Sequence, residues 1–201
     1  MDLATTRDVV IRMMKSSLEV KQRALEDKEY IAGVCAVGKI VAEALRGGFK
    51  VLFFGNGGSA ADAQHLAAEL AGRYMRERPG LAVLALTTNT SSLTAIANDY
   101  SYELVFARQL EGLGFAGDIA VGISTSGNSV NILKAMEVAK AKGLVTVAFV
   151  GQNGGALRDR VDYCVSAPST ETPRIQELHI LTGHIVCEIV ENELFVTGSV
   201  S

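Results

Sequence analysis

Apolar positions along this chain change their period near residue 50. From residue 3 to residue 29, Ile11, Met14, Leu18 and Leu25 keep helical spacing with charged residues between them, which predicts a long amphipathic helix. A second helix is predicted from Ile31 to Leu45, with Ile31, Val34, Val41 and Leu45 on one side and Gly47-Gly48 ending it. Neither helix is needed to cross over between parallel strands. Contacts between subunits are therefore the expectation for them, with packing on their own domain's sheet as the alternative. Beyond residue 50, short apolar runs at 51–54, 82–86, 119–123 and 144–150, and a weaker one at 161–165, alternate with helical stretches. Buried strands alternating with helices give an α/β domain with a mostly parallel, five-stranded sheet. A last helix is predicted to run to about Phe195, with Thr172 as its N-cap and Pro173 at its first position. Residues 197–201 are expected to fray.

In such sheets ligands collect beyond the carboxyl ends of the strands. That rule selects four loops rich in Gly, Asn, Ser or Thr: Gly55–Ser59, Thr87–Ser91, Ser124–Ser129 and Gly151–Gly155. The third belongs to the run G-I-S-T-S-G-N-S, Gly122–Ser129, which leads from a strand into a helix starting near Val130. A helix N-terminus offers unpaired N–H groups and a partial positive charge. With the hydroxyls of Ser124, Thr125, Ser126 and Ser129 it makes a phosphate cradle. The run has no Lys or Arg, which suits a sugar phosphate better than a nucleoside triphosphate. The same residues also describe an ordinary Ser/Thr cap on a strand-to-helix turn, and the segment by itself leaves both open.

Composition narrows the class. A length of 201 residues points to one domain, and 48% hydrophobic against 20% charged residues supplies a sizeable core. The formal net charge of -3 and the lack of a basic stripe argue against nucleic acid as a ligand. Cys35, Cys164 and Cys187 are widely spaced and read as reduced core thiols of a cytoplasmic protein. The N-terminal residues lack the basic-then-apolar pattern of a signal peptide, and the apolar runs are too short to span a membrane. Only three histidines occur, so their positions carry information.

His65 and Glu69 follow the Gly-rich turn of Gly55–Ser59 on one helix. Within the turn, Gly57 and Gly58 permit close backbone approach to a ligand, and Asn56 and Ser59 can hydrogen-bond sugar hydroxyls; a plain tight turn also explains them. His65 and Glu69 are four residues apart and share a face, which suits joint metal ligation, an acid/base pair, or a surface pair. The neighbouring Ala61, Leu66 and Ala68 are unlike a solvated surface, and Asp62, one turn earlier, is placed to orient the imidazole. On the last helix Gln176, Ile180 and His184 form one row. Gln176 and His184 are about 12 Å apart along the axis, so a shared ligand must sit midway. His179 lies off that row and reads as structural. Asn98-Asp99 closes a helix and either ends it or touches substrate. Arg73 reads as a surface salt bridge, or as a partner for a carboxylate or phosphate.

Together G-N-G-G-S-x-x-D-A-x-H-x-x-x-E, A-N-D-Y, G-I-S-T-S-G-N-S and R-I-Q-E-x-H-I-x-x-x-H resemble the sugar isomerase (SIS) domain, and more closely its phosphoheptose isomerases, which act on sedoheptulose 7-phosphate. The resemblance runs from the N-terminal helices through the last helix. It implies a single SIS domain over residues 1–201, a three-layer α/β sandwich with a helical part at 1–47 and the core at 48–201. It implies conversion of D-sedoheptulose 7-phosphate to D-glycero-D-manno-heptose 7-phosphate for lipopolysaccharide or related glycans. It also implies a cytoplasmic homotetramer with active sites between subunits, and one zinc ion per subunit. Carried over residue by residue, the catalytic groups fall on Glu69 and His184, and the zinc ligands on His65, Glu69, Gln176 and His184. Substrate contacts fall on Asn56, Gly57, Gly58, Glu69, Asn98, Asp99, Ser124, Thr125, Ser126, Ser129 and Gln176. Pro173 departs from the polar residue that some members carry. The rival expectation is a non-catalytic SIS protein that binds the replication initiator DnaA. A sugar-sensing regulator would need a DNA-binding domain, for which 201 residues leave no room.

Overall fold

In the computed structural model, which describes residues 3–196, alternation along the strands sorts the core into two layers. Strands β1 (Val51–Gly55), β2 (Val83–Ala85), β3 (Ile119–Ser124), β4 (Val145–Val150) and β5 (Tyr163–Ser166) form one parallel sheet in the order β2-β1-β3-β4-β5. Seven α-helices are described: α1 (Leu3–Glu26), α2 (Lys28–Arg46), α3 (Gly58–Ala71), α4 (Thr90–Asp99), α5 (Ala107–Leu113), α6 (Val130–Ala141) and α7 (Thr172–Phe195). Val51, Phe53, Val121, Ile123, Val147 and Phe149 face Val34 and Val41 of α2, Leu66 and Leu70 of α3, and Leu178 and Val186 of α7. The alternate residues Leu52, Phe54, Ala120, Ala148 and Val150 face Leu110 of α5 and Ile132 and Met136 of α6. Each large apolar side chain buried this way contributes about 1.5–3 kcal/mol, against about 0–1 for an exposed ion pair. Apolar alternation therefore fixes the sheet between its two helix layers.

The order β2-β1-β3 reverses direction at β1, so the crevice between the carboxyl ends of β1 and β3 is where a ligand has room to enter. Gly55–Ser59 and Ser124–Ser129 flank it.

Several boundaries differ from the sequence reading. The first helical segment divides at Asp27, whose carboxylate accepts from Glu29 N at 2.9 Å and Tyr30 N at 3.1 Å. A side-chain cap starts a new helix without Gly or Pro, and apolar spacing alone runs past it. The cap of α7 is Glu171, not Thr172. Thr172 and Pro173 are the first two helical residues, where proline's missing N–H costs nothing. Strand β5 is shifted to Tyr163–Ser166 from the apolar run at 161–165. The fraying expected of residues 197–201 lies outside the described residues.

Much of the α1 stripe does not pack on the chain's own sheet. Val20 and Ala24 are buried, but Ile11, Met14, Leu18 and Leu25 are exposed, together with Val10 and Met13. Ile31 of α2 is exposed too, whereas Val34, Val41 and Leu45 are buried. Among the described residues no helix is long and apolar enough to cross a membrane.

Candidate active site

Two glycines shape the turn out of β1. A Cβ at Gly55 would lie 2.6 Å from the Ser59 carbonyl oxygen, and Gly57 adopts φ 56°, a left-handed backbone that favours glycine. Between them Asn56 is locked. Its Nδ2 donates to Asn131 Oδ1 at 2.9 Å, while its Oδ1 accepts from Asn131 Nδ2 at 2.9 Å and from the Tyr102 hydroxyl at 3.0 Å. Both lone pairs of that oxygen are used, so a ligand meets Asn56 as a donor through its second Nδ2–H. Gln176 reaches the same turn from α7: a Cβ at Gly58 would lie 2.5 Å from its Nε2.

The hydroxyl loop closes over the start of α6. Ser129 is the N-cap residue, but its hydroxyl makes no cap hydrogen bond; it pairs with the Ser124 hydroxyl at 3.1 Å. The ordinary side-chain cap is therefore not what these serines make. Ser126 Oγ accepts from Asn128 N at 3.2 Å. Gly127, at φ 65°, is pressed against the Gly154 backbone, and Asn128 Oδ1 accepts from Ala156 N at 2.9 Å. The loop after β4 thus braces the loop after β3. A cavity of about 250 Å³ between them is lined by Thr125, Ser126, Gln152, Asn153, Ser169 and Thr170, among others.

Two of the three histidines meet where α3 crosses α7. His65 Nε2 lies 2.8 Å from His184 Nε2 and 3.3 Å from Glu69 Oε1, and the ligand atoms of the three residues all fall within 4.8 Å of one another. Two imidazole nitrogens and a carboxylate oxygen are the donor set of a zinc site with room for a further ligand. The side chains of His65 and Glu69 are 48% and 24% exposed, so the group opens to solvent in the single chain. Ala61 and Ala68 are exposed as well; only Leu66 of the three apolar neighbours is buried. His65 follows Gly58 by seven residues, about 10 Å along the axis, which sets the triad apart from the Gly55–Ser59 turn.

Behind the triad stands a buried ion pair. Arg78 Nε donates to Glu191 Oε1 at 3.0 Å, with both side chains 1% exposed. Glu191 also accepts from the backbone N–H groups of Tyr74, Met75 and Arg76, each at 3.0 Å. Burial pushes the Glu191 carboxyl up, but these four donors outweigh it and hold it below the usual range. Arg78 spends its other donors on the carbonyls of Leu70, Gly72 and Pro79 and, at 3.0 Å, of Glu69. The Tyr74 ring stacks on His184, centroids 5.5 Å apart and planes at 25°.

The remaining candidates divide. Asn98 and Asp99 are exposed at the end of α4, where Asn98 Nδ2 donates to Asp99 Oδ1 at 2.9 Å. Asp62 is half-buried with Oδ2 unpartnered, and burial raises its pKa against the lowering field of His65. Arg73 pairs with Glu77 at 3.8 Å in a bridge exposed on both sides. His179 is buried and donates from Nε2 to the Val150 carbonyl at 2.9 Å, a structural role. Of the cysteines only Cys187 is a core thiol; Cys164 is half-buried and Cys35 is exposed.

Residues 15–151 match the sequence model of the SIS domain. The chain belongs to the SIS domain family. A phosphoheptose isomerase of Sulfurimonas denitrificans is 55% identical over 185 residues, which cover 92% of this chain and 95% of that protein. Phosphoheptose isomerase 2 of Campylobacter jejuni is 53% identical, covering 90% of each. Among solved structures, phosphoheptose isomerase GmhA from Neisseria gonorrhoeae superposes with a TM-score of 0.87 at 39% identity, covering 93% of this chain and 99% of that one.

Sequence reading of this SIS domain missed Asn131, Tyr102, Tyr74, Arg78 and Glu191. Asn131 carried a faint signal, as a polar residue in the first turn of α6 beyond the hydroxyl loop. The other four pair across at least 46 residues of chain or sit in the charged stretch 73–78, which reads as solvated surface.

Proposed function

We propose that this chain is a phosphoheptose isomerase, an aldose–ketose isomerase that converts D-sedoheptulose 7-phosphate to D-glycero-D-manno-heptose 7-phosphate in bacterial heptose biosynthesis. The observation that carries this is the convergence of His65, Glu69 and His184 at one α3–α7 crossing, in a chain that also has the hydroxyl loop. The reaction takes a proton from C1 of the ketose and returns one to C2 through an enediol. Glu69 and His184 are a carboxylate and an imidazole within reach of one point, which suits transfer of those two protons. The Ser124, Thr125, Ser126 and Ser129 hydroxyls and the α6 N-terminus hold the phosphate. Binding energy at that inert end then positions the carbonyl end. Asn56, Gly57, Gly58 and Gln176 line the sugar's path, and Asn98 and Asp99 are the outer substrate contacts.

The donor set fits zinc, held by His65, Glu69 and His184, with Gln176 as a further neutral ligand. Bound there, zinc supplies a Lewis acid for negative charge developing on a substrate oxygen. Glu69 serves as proton carrier to the extent that its second oxygen stays free.

The active unit is a homotetramer of single-domain subunits in the cytoplasm, with sites between subunits. Two features support this: the exposed apolar stripe of α1 and the open triad. The purified, zinc-supplied protein should turn sedoheptulose 7-phosphate into an aldose, and Glu69→Gln should lower turnover by at least about 100-fold while the protein stays folded. Absence of turnover by the parent protein would refute the assignment.

A further inference from the structure

The His184 imidazole meets His65 edge-on, centroids 5.1 Å apart, and stacks on the Tyr74 ring at 5.5 Å. The way Tyr74 is held is specific. Glu191 follows His184 on α7 by seven residues, two helical turns, so both side chains leave the same face about 10 Å apart. Tyr74 spans that interval: its backbone N–H is fixed at 3.0 Å on Glu191 Oε1, while its ring lies over the imidazole at 25°. The Arg78 guanidinium anchors the same carboxylate and reaches the Glu69 carbonyl at 3.0 Å. One buried pair thus ties the end of α3, the loop after it and α7 together.

We propose that Tyr74 is a positioning residue for His184. The clamp formed by Arg78 and Glu191 sets the place of the Tyr74 backbone, and the ring then fixes the plane in which the imidazole presents Nε2 to His65 and Glu69. An unsupported imidazole on α7 turns about its Cβ–Cγ bond; a flat ring against its face limits that rotation. Tyr74 touches no reacting atom in this scheme. It acts through the ring of His184, and its hydroxyl is not required.

This rests on His65, Glu69 and His184 forming a metal site in the proposed isomerase, and it can be tested apart from that activity. Metal-free parent, Tyr74→Phe, Tyr74→Leu and Tyr74→Ala proteins are titrated with zinc by calorimetry and with cobalt(II) by visible absorption. Leu and Ala are expected to weaken zinc binding by about ten-fold, as loss of an outer support of a ligand does, and to alter the cobalt spectrum. Phe, which keeps the flat ring, is expected to restore both. In turnover, Ala is expected to lower kcat by ten-fold or more with KM within about three-fold. Parent-like zinc affinity and cobalt spectrum in the Ala protein would overturn the proposal. So would a Phe protein as impaired as Ala, or a loss confined to KM. If the parent binds metal but isomerises no sugar phosphate, the functional assignment falls while the titrations still decide the role of Tyr74. Glu191→Gln provides a second perturbation, through the clamp and without touching the ring: it should move the cobalt spectrum in the same direction as Tyr74→Leu, and an unchanged spectrum would count against the clamp.

Discussion

Replacing Gly183 with Ala should damage the site far more than the fold. Gly183 precedes His184 on α7 and Leu66 follows His65 on α3, so the contact between them sets the spacing of the two helices beside the triad. A Cβ on Gly183 would lie 2.3 and 2.4 Å from the two Leu66 methyl carbons and 2.9 Å from its Cγ, where ordinary contact begins at 3.4 Å. Leu66 must yield by about an ångström, and it is 1% exposed in a filled core. Overpacking of this kind costs about 1–3 kcal/mol. Alanine in a helix interior returns about 1 kcal/mol relative to glycine. The net loss of stability is then about 0–2 kcal/mol, within reach of urea unfolding. The functional loss should be larger, because a misplacement of about 1 Å at reacting groups costs on the order of 100-fold. Two assays check this: kcat for sedoheptulose 7-phosphate and zinc affinity, with Gly112→Ala as control. Gly112 is exposed on α5 with open space at its Cβ, so that change should stabilise by about 0.4–1 kcal/mol and leave activity alone. A Gly183→Ala protein that is more stable and fully active would refute the claim that this glycine spaces the helices.

Two further outcomes follow from the same geometry. Burial lowers the His179 pKa from 6.5 to about 4, so its contribution to stability is complete above pH 6.5 and is lost as pH falls toward 4. Between pH 8 and pH 5 the loss from this group should be about 2 kcal/mol in urea unfolding of metal-free protein, and His179→Gln should remove that part of the slope; an equal slope in the variant would exclude the imidazole as its source. Gly127→Ala puts a Cβ 1.9 Å from the Gly154 carbonyl oxygen at φ 65°. The left-handed backbone alone costs about 1–2 kcal/mol, so the variant should melt earlier and show a KM for the sugar phosphate raised by at least about ten-fold; an unchanged KM would mean that the loop does not hold the phosphate.

What the sequence made legible was whatever repeats within one element. Alternating strands and helices yield the parallel sheet, and i, i+4 spacing puts His65 with Glu69 and aligns Gln176 with His184. The hydroxyl loop is readable because its donors are contiguous. Features that join distant elements left little trace. Nothing local says that Tyr102 will reach Asn56, or that Gly183 faces Leu66. Charges at 73, 76, 77 and 78 look alike in the chain, yet Arg73 and Glu77 are solvated while Arg78 is buried. The Asp27 cap was missed for a smaller reason: a carboxylate in a charged run gives no contrast.

The buried pair shows why such features matter to function more than to stability. Taking Arg78 and Glu191 out of water costs several kcal/mol per ion, and a well-packed apolar pair of similar volume would be as stable or more so. What an apolar pair would lack is direction. Glu191 addresses three successive N–H groups, and Arg78 addresses carbonyls on both sides of the turn, so the loop after α3 has one path across α7. Gly183 lets the helices approach at one point, and the ion pair fixes their relative position two turns further on. Between those two constraints His184 has its place on α7 determined, and Tyr74 determines its plane. A proton carrier that must meet a carbon at a few ångströms needs that kind of constraint, and an imidazole at the solvent-facing edge of a helix crossing does not obtain it from burial.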